Sequence, residues 1–113
     1  STPFPAREAA DGDPVEPGVA LVAPGDRHLE FAADGRVELG TGSKVSGHRP
    51  SVDVAFRSAA KVYGKRSVGV LLTGMGEDGA RGLADLRAAG ATTFAQDAAT
   101  CAVYGMPLRA VQL

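Results

Sequence analysis

The chain has 113 residues, enough for one domain or a part of one, and its 44% hydrophobic content without Trp predicts an aliphatic core. A formal net charge of -1 argues against nucleic acid as a partner, and the absence of any apolar run near the roughly 20 residues that cross a bilayer argues against membrane insertion. Cys101 is the single cysteine, so the sequence excludes an internal disulfide and a multi-thiolate metal site and favours the cytoplasm.

The first part of the chain predicts short strands. They lie at residues 4–8, 19–22, 28–31 and 36–39. The last two segments alternate polar and apolar residues on either side of the turn sequence Ala33-Asp34-Gly35. This alternation with a period of two predicts a β-hairpin.

The second part predicts helix, strand, helix and strand in alternation, at residues 51–63, 68–72, 79–89 and 92–95. Ser51 is expected to cap the first helix, and Asp53 suits the positive end of its dipole. Such alternation predicts parallel strands with helical crossovers, hence an α/β fold with a doubly wound, mostly parallel sheet. The strand at 68–72 is apolar on both faces, as in a sheet interior. We therefore expect an incomplete portion of a larger α/β domain.

The loop at residues 73–79, Thr-Gly-Met-Gly-Glu-Asp-Gly, follows that strand. The carboxyl end of a parallel strand is the usual place for a binding or catalytic loop. One interpretation is a dinucleotide-binding, Rossmann-like module, because Gly74-x-Gly76-x-x-Gly79 satisfies the fingerprint and Asp97 ends the next strand. Against it, Glu77 and Asp78 would repel a pyrophosphate at the helix N-terminus.

A structural role is a second interpretation of Asp78. Aspartate is a favoured N-cap residue, with an effect of about 1 kcal/mol at the start of a helix. His28 and His48 are isolated histidines in turn-like settings, and no His/Asp cluster in the sequence predicts a metal site.

Four separated blocks of the sequence resemble one known family in their order along the chain. The blocks lie at residues 23–28, 48–53 with 56–59, 73–79, and 96–97 with 104–107. Their sequences begin Ala-Pro-Gly-Asp-Arg-His, His-Arg-Pro-Ser-Val-Asp, Thr-Gly-Met-Gly-Glu-Asp-Gly and Gln-Asp. Together they are similar to the catalytic domain of CheB, the chemotaxis protein-glutamate methylesterase.

The resemblance implies an esterase with a Ser-His-Asp triad that hydrolyses γ-glutamyl methyl esters on the cytoplasmic helices of methylated chemoreceptors and deamidates receptor glutamines. It implies no metal or organic cofactor, and in the full protein it implies a receiver domain with its histidine kinase. By the same resemblance, Asp78 is the triad acid and Met75 contributes a backbone N–H to the oxyanion hole. The supporting loop positions are Thr73, Gly74, Gly76 and Gly79, and the candidates for lining the receptor-facing cleft are His48 and Arg49.

The nucleophilic serine and the triad histidine of this family lie upstream of every block found here. Ser1 is rejected as the nucleophile because Pro3 and Phe4 stand where the family has glycines. We therefore expect residues 1–113 to be the C-terminal portion of a CheB-like catalytic domain, without a receiver domain and inactive alone. A catalytically inactive regulatory or interaction fragment is the third interpretation.

Overall fold

The computed structural model describes residues 5–45, 47–72 and 78–95. Within these residues the predicted strands and helices form, with bounds within two residues of those expected from the sequence. The strands are β1 (Ala6–Glu8), β2 (Ala20–Val22), β3 (His28–Phe31), β4 (Val37–Gly40), β5 (Val68–Leu71) and β6 (Thr92–Ala95), and the helices are α1 (Val52–Val62) and α2 (Ala80–Ala88). A short 3-10 helix at Gly64–Arg66, which the sequence did not predict, follows α1.

The strands form three pairs in the described part of the chain. β1 and β2 are parallel, and β3 and β4 form the predicted antiparallel hairpin. β5 and β6 are parallel, with Val68 opposite Thr92 and Leu71 opposite Ala95. Helix α2 connects β5 to β6 and contacts both strands, so these three elements form the predicted β-α-β crossover.

The hydrophobic core is small and aliphatic. Ala9, Leu29 and Val37 are buried together, and the partly buried residues packed against them are Leu21, Ala23, Phe31 and Leu39. Helix α1 bridges this cluster and the crossover, because it contacts both β3 and α2. On its β3 side, Phe31 meets Tyr63 edge to face, with ring centroids 5.7 Å apart. The contacts of α1 with β3 and α2 therefore fix where its N-terminus lies relative to Asp78.

One face of β5 is exposed in the described structure. Val68, Val70 and Leu72 are 66%, 52% and 64% exposed, whereas Gly69, which faces the other way, lies against Leu86 of α2. The strand is apolar on both faces, as the sequence predicts, and in the described residues one of these faces is left uncovered. Helix α2 covers one face only, and the other presents a stripe of aliphatic side chains.

Gly82 allows the close approach of the two helices. A Cβ atom at this position would lie 2.7 Å from Phe56 Cβ and 3.0 Å from Asp53 Cα, closer than carbon atoms pack. The second neighbour belongs to the backbone of α1 and cannot rotate away. The α1–α2 contact therefore depends on the missing side chain, although a glycine in a helix is otherwise unfavourable by about 1 kcal/mol relative to alanine.

We expect Gly82→Ala to lower the free energy of unfolding by about 1–3 kcal/mol, because overpacking outweighs the better helix propensity. Urea unfolding of the 113-residue chain measures this change. The control is Ala84→Gly, at an exposed position of the same helix, which reports propensity alone. A gain in stability with Gly82→Ala would contradict the close packing.

Candidate active site

The N-terminus of α1 is not capped by its own serine. Ser51 occupies the N-cap position with extended backbone angles, φ -112° and ψ 133°, as predicted, but its side chain makes no capping hydrogen bond to the helix. The Ser51 hydroxyl instead donates to Asp78 Oδ1 over 2.7 Å. The predicted N-cap position of Ser51 is confirmed, but the expected capping hydrogen bond of its side chain is wrong.

Asp78 supplies the cap that Ser51 does not. Its Oδ2 accepts the backbone N–H of Val52 at 2.8 Å, and its Oδ1 accepts the N–H of Asp53 at 3.2 Å. The first N–H groups of a helix have no intrahelical acceptor, so these bonds satisfy two orphan donors of α1. Asp78 is thus a capping residue, but of the helix that precedes it in the chain. The N-cap position of α2 belongs to Gly79, which has a left-handed φ of 104°.

Asp53 in turn caps the N-terminus of α2. Its Oδ1 accepts the backbone N–H groups of Gly79, at 3.0 Å, and Gly82, at 2.7 Å, and the residue is only 2% exposed. Each helix is therefore capped by a carboxylate from the start of the other. We call this arrangement, formed by Asp53 and Asp78, the reciprocal cap.

The reciprocal cap argues against a dinucleotide at this loop. Two of the N–H groups at the start of α2, those of Gly79 and Gly82, are already bonded to a buried carboxylate and are not available to a pyrophosphate. Gly79 also has a packing reason to be glycine, because a Cβ atom there would lie 2.6 Å from Leu71 Cδ1. The other two glycines of the fingerprint, Gly74 and Gly76, lie outside the described residues.

The reciprocal cap also determines the protonation of Asp78. Partial burial alone would raise the pKa of its carboxyl group. The hydrogen bonds from the Val52 N–H, the Ser51 hydroxyl and the Asp53 N–H, together with the electrostatic effect of His48, outweigh burial and lower that pKa below its ordinary value. Asp78 is therefore ionised at neutral pH, and every one of these groups favours the carboxylate over the acid.

Asp78 opens onto a cleft of about 430 Å³. The described residues that line it are His48, Val52, Phe56, Val70, Leu71, Leu72 and Asp78. Its walls are thus mainly aliphatic and aromatic, with one carboxylate and one imidazole as the polar groups. Such a composition suits a site in which water is displaced around a few oriented polar atoms.

Two comparisons with known proteins bear on this site. A family model described as CheB methylesterase matches residues 1–113. The chain belongs to the CheB methylesterase family. It is 57% identical over 110 residues to a protein-glutamate methylesterase/protein-glutamine glutaminase of Anaeromyxobacter dehalogenans and 54% identical over 110 residues to one of Photorhabdus laumondii. These alignments cover 95% of this chain and 30% and 31% of the relatives, so the chain spans about a third of their length.

The fold agrees with the family. The crystal structure of the CheB methylesterase catalytic domain of Thermotoga maritima superposes with a TM-score of 0.76 at 42% identity, over 89% of this chain and 55% of that one. This similarity confirms the predicted α/β class, its parallel pairs and its small hairpin. The dinucleotide interpretation is not supported by any of these relatives.

The CheB-type residues predicted from the sequence fall into three groups. Asp78 and His48 line one cleft. Arg49 points elsewhere: its Nη2 and Nε donate to Asp26 Oδ1 at 2.7 and 3.0 Å, and its Nη1 donates to the Gly42 carbonyl at 3.2 Å. The remaining loop residues, Thr73, Gly74, Met75 and Gly76, lie outside the described residues.

Sequence reasoning missed three residues that are connected to Asp78 directly or through one other residue. They are His28, Ser51 and Asp53, which were interpreted as an isolated histidine, a local cap and a local dipole partner. His28 is 4% exposed and uses both ring nitrogens: Nδ1 faces the Ser51 N–H at 3.2 Å, and Nε2 faces the Ser43 carbonyl at 2.8 Å. The available signal was that His28, Ser51 and Asp53 all belong to blocks that resemble the family.

Among the residues that the structure describes, no group of His, Cys, Asp or Glu side chains is placed to hold a metal ion. The helices within that part of the chain are all too short or too polar to cross a membrane.

Proposed function

We propose that this chain contributes the acid of a Ser-His-Asp triad to a protein-glutamate methylesterase that is also a protein-glutamine glutaminase. The single observation that carries the proposal is the Asp78 carboxylate, which is ionised, held by three hydrogen bonds and open to a cleft. A triad acid needs these properties, because it must orient an imidazole and stabilise the imidazolium without becoming protonated.

The hydrogen-bond count leaves room for an imidazole. A carboxylate has about four lone-pair sites. Among the described residues, Oδ1 accepts the Ser51 hydroxyl and the Asp53 N–H, and Oδ2 accepts only the Val52 N–H. As far as the described residues go, one site on Oδ2 is therefore available. An imidazole Nδ1–H bonded there would have its Nε2 free to take a proton from a serine hydroxyl.

In the proposed reaction, the serine oxygen attacks the carbonyl carbon of the glutamyl methyl ester while the histidine takes the serine proton. The histidine then gives this proton to the departing methoxide, and methanol leaves. Water hydrolyses the acyl-enzyme with the same histidine as base, which restores serine and releases glutamate. With a glutamine substrate, ammonia leaves in place of methanol. Asp78 stabilises the imidazolium in every step, and the Met75 N–H is the proposed oxyanion donor.

The serine and histidine are proposed to come from a part of the catalytic domain outside residues 1–113. This chain covers 55% of the Thermotoga maritima domain, and the face of β5 that carries Val68, Val70 and Leu72 is exposed beside the cleft. A further portion of the domain packed on that face would bring its side chains toward Asp78. The proposed substrates are methylated chemoreceptor helices, in the cytoplasm, under the control of a receiver domain and its kinase.

We expect the 113-residue chain to release no methanol from a methylated chemoreceptor fragment above the uncatalysed rate, whereas the full-length protein that contains it does so. Gas chromatography of released methanol measures both reactions under one set of conditions. Methanol release by the chain alone would show that a nucleophile lies within it. Failure of the full-length protein would instead favour a catalytically inactive regulatory role.

A further inference from the structure

Ser51 makes a contact that helix capping does not explain. It is 2% exposed, its hydroxyl makes no bond to its own helix, and the hydroxyl proton is directed to Asp78 Oδ1 at 2.7 Å. We propose that Ser51 is a positioning residue for the carboxylate of Asp78, and that His28 holds the Ser51 backbone in place through its Nδ1. This inference rests on the proposed function of Asp78 and adds to it two residues that set its geometry.

The partners of His28 determine its tautomer. The Ser51 N–H can only donate, so the facing Nδ1 must be the unprotonated nitrogen; the Ser43 carbonyl can only accept, so Nε2 must carry the hydrogen. Both nitrogens of this buried ring therefore have a hydrogen-bond partner. The ring connects the loop at Ser43 to the backbone of Ser51, and the Ser51 side chain continues the connection to Asp78.

The Ser51 hydroxyl limits rotation of the carboxylate. Without it, Asp78 would keep two backbone donors, from Val52 and Asp53, one on each oxygen. The hydroxyl adds the shortest bond of the three and places it on Oδ1, so that Oδ2 keeps the open lone pair for the imidazole. Small errors in the placement of a catalytic group cost large factors in rate, because the reacting atoms must be aligned within a fraction of an ångström.

A titration of Asp78 can report on its bond with the Ser51 hydroxyl. The titratable groups that face it among the described residues are His48, across the cleft, and Asp53, whose carboxylate is directed to α2. Neither of them changes when Ser51 loses its hydroxyl. Removal of a donor to the ionised form must raise the pKa of the Asp78 carboxyl.

The matched control is Ser58, a second buried serine on α1. It is 8% exposed, accepts the Phe31 N–H at 3.0 Å and donates to the Ala55 carbonyl at 2.9 Å, so Ser58→Ala also removes a buried, bonded hydroxyl. It makes no contact with Asp78. A merely structural role for Ser51 would make the two alanine variants behave alike.

The experiment uses the full-length protein and measures the Asp78 pKa by carbon-13 NMR of the side-chain carboxyl, together with kcat and KM for methyl-ester hydrolysis. Ser51→Ala is expected to raise the pKa and to lower kcat about tenfold with little change in KM. Ser58→Ala is expected to leave the pKa and kcat unchanged, and Ser51→Thr, which keeps the hydroxyl, to restore both.

Three results would overturn the role of Ser51: an unchanged Asp78 pKa in Ser51→Ala, an unchanged kcat in Ser51→Ala, or equal changes in Ser58→Ala. Full turnover in Asp78→Asn would instead overturn the proposed function, so the two failures are distinct. A measurement on the unmodified chain covers the case in which Ser51→Ala does not fold. The Ser51 hydroxyl proton should exchange slowly enough with water to be observed near Asp78, and its absence would count against the proposal.

Discussion

Asp78→Asn is expected to lower kcat for methyl-ester hydrolysis in the full-length protein by at least about 10²-fold. The established serine-protease case, in which asparagine favours the wrong imidazole tautomer, loses about 10⁴-fold. The measurement is methanol release at saturating substrate. Asp85→Asn is the matched control, because Asp85 is a nearby aspartate on α2 whose side chain, in the described part of the chain, forms an exposed ion pair with Arg57. Turnover near normal in Asp78→Asn would show that the carboxylate is only a cap.

The reciprocal cap makes the structural part of this substitution larger than at an ordinary N-cap. Both oxygens of Asp78 accept hydrogen bonds, and an asparagine amide would turn an NH₂ group toward one of these donors. We expect a loss of about 1–3 kcal/mol in the free energy of unfolding. Unfolding must therefore be measured on the same sample, and kcat expressed per folded molecule.

The loss in the free energy of unfolding caused by Asp78→Asn is expected to depend on pH. The pKa of the Asp78 carboxyl is lower in the folded chain than its ordinary value, chiefly because backbone and hydroxyl donors outweigh burial. Its contribution to stability is therefore fully present above the unfolded pKa of about 3.9 and is lost as the pH falls through the folded value. The stability difference between the unmodified chain and Asp78→Asn should shrink in the same acidic range.

Asp53→Ala is expected to lower the free energy of unfolding by about 2–6 kcal/mol. It leaves the N–H groups of Gly79 and Gly82 without their acceptor in a buried position, and each such group costs about 1–3 kcal/mol. Urea unfolding with fixed m-value measures the change.

The control for Asp53→Ala is Asp85→Ala, on the exposed surface between the same two helices, where loss of an ion pair should cost no more than about 1 kcal/mol. Similar losses in the two variants would contradict the reciprocal cap. Asp53→Ala can be compared with the unmodified chain by protection of amide protons at the α1–α2 contact. A large loss of stability with unchanged protection there would show that the loss arises from the missing cap alone.

Local sequence patterns predicted the strands and helices of this fold, but not the contacts of Asp78. The period-two alternation around Asp34 and the apolar run from Val68 are patterns among residues close together in the sequence. The sequence alone therefore predicts the strands that they form. Asp53 and Asp78 each stand near the start of a helix, and a local pattern assigns each to its own helix. The structure assigns each to the other, across more than twenty residues.

The same limit applies to the residues that surround the acid. The burial of Ser51 and the full use of both nitrogens of His28 arise only when β3 packs beside the start of α1. The need for glycine at position 82 likewise depends on the distance between two helix axes, which composition does not encode. The resemblance to a family gave Asp78 its proposed role, while tertiary packing determined which groups hold its carboxylate.

The reciprocal cap has a consequence for recognising active members of this family from sequence. Because Asp78 completes the N-terminus of α1, selection for a folded domain would preserve it even in a descendant that had lost its nucleophile. The same holds for Asp53 and α2. An intact acid motif is therefore a sign that the domain folds, and a working enzyme has to be inferred from the serine and the histidine instead.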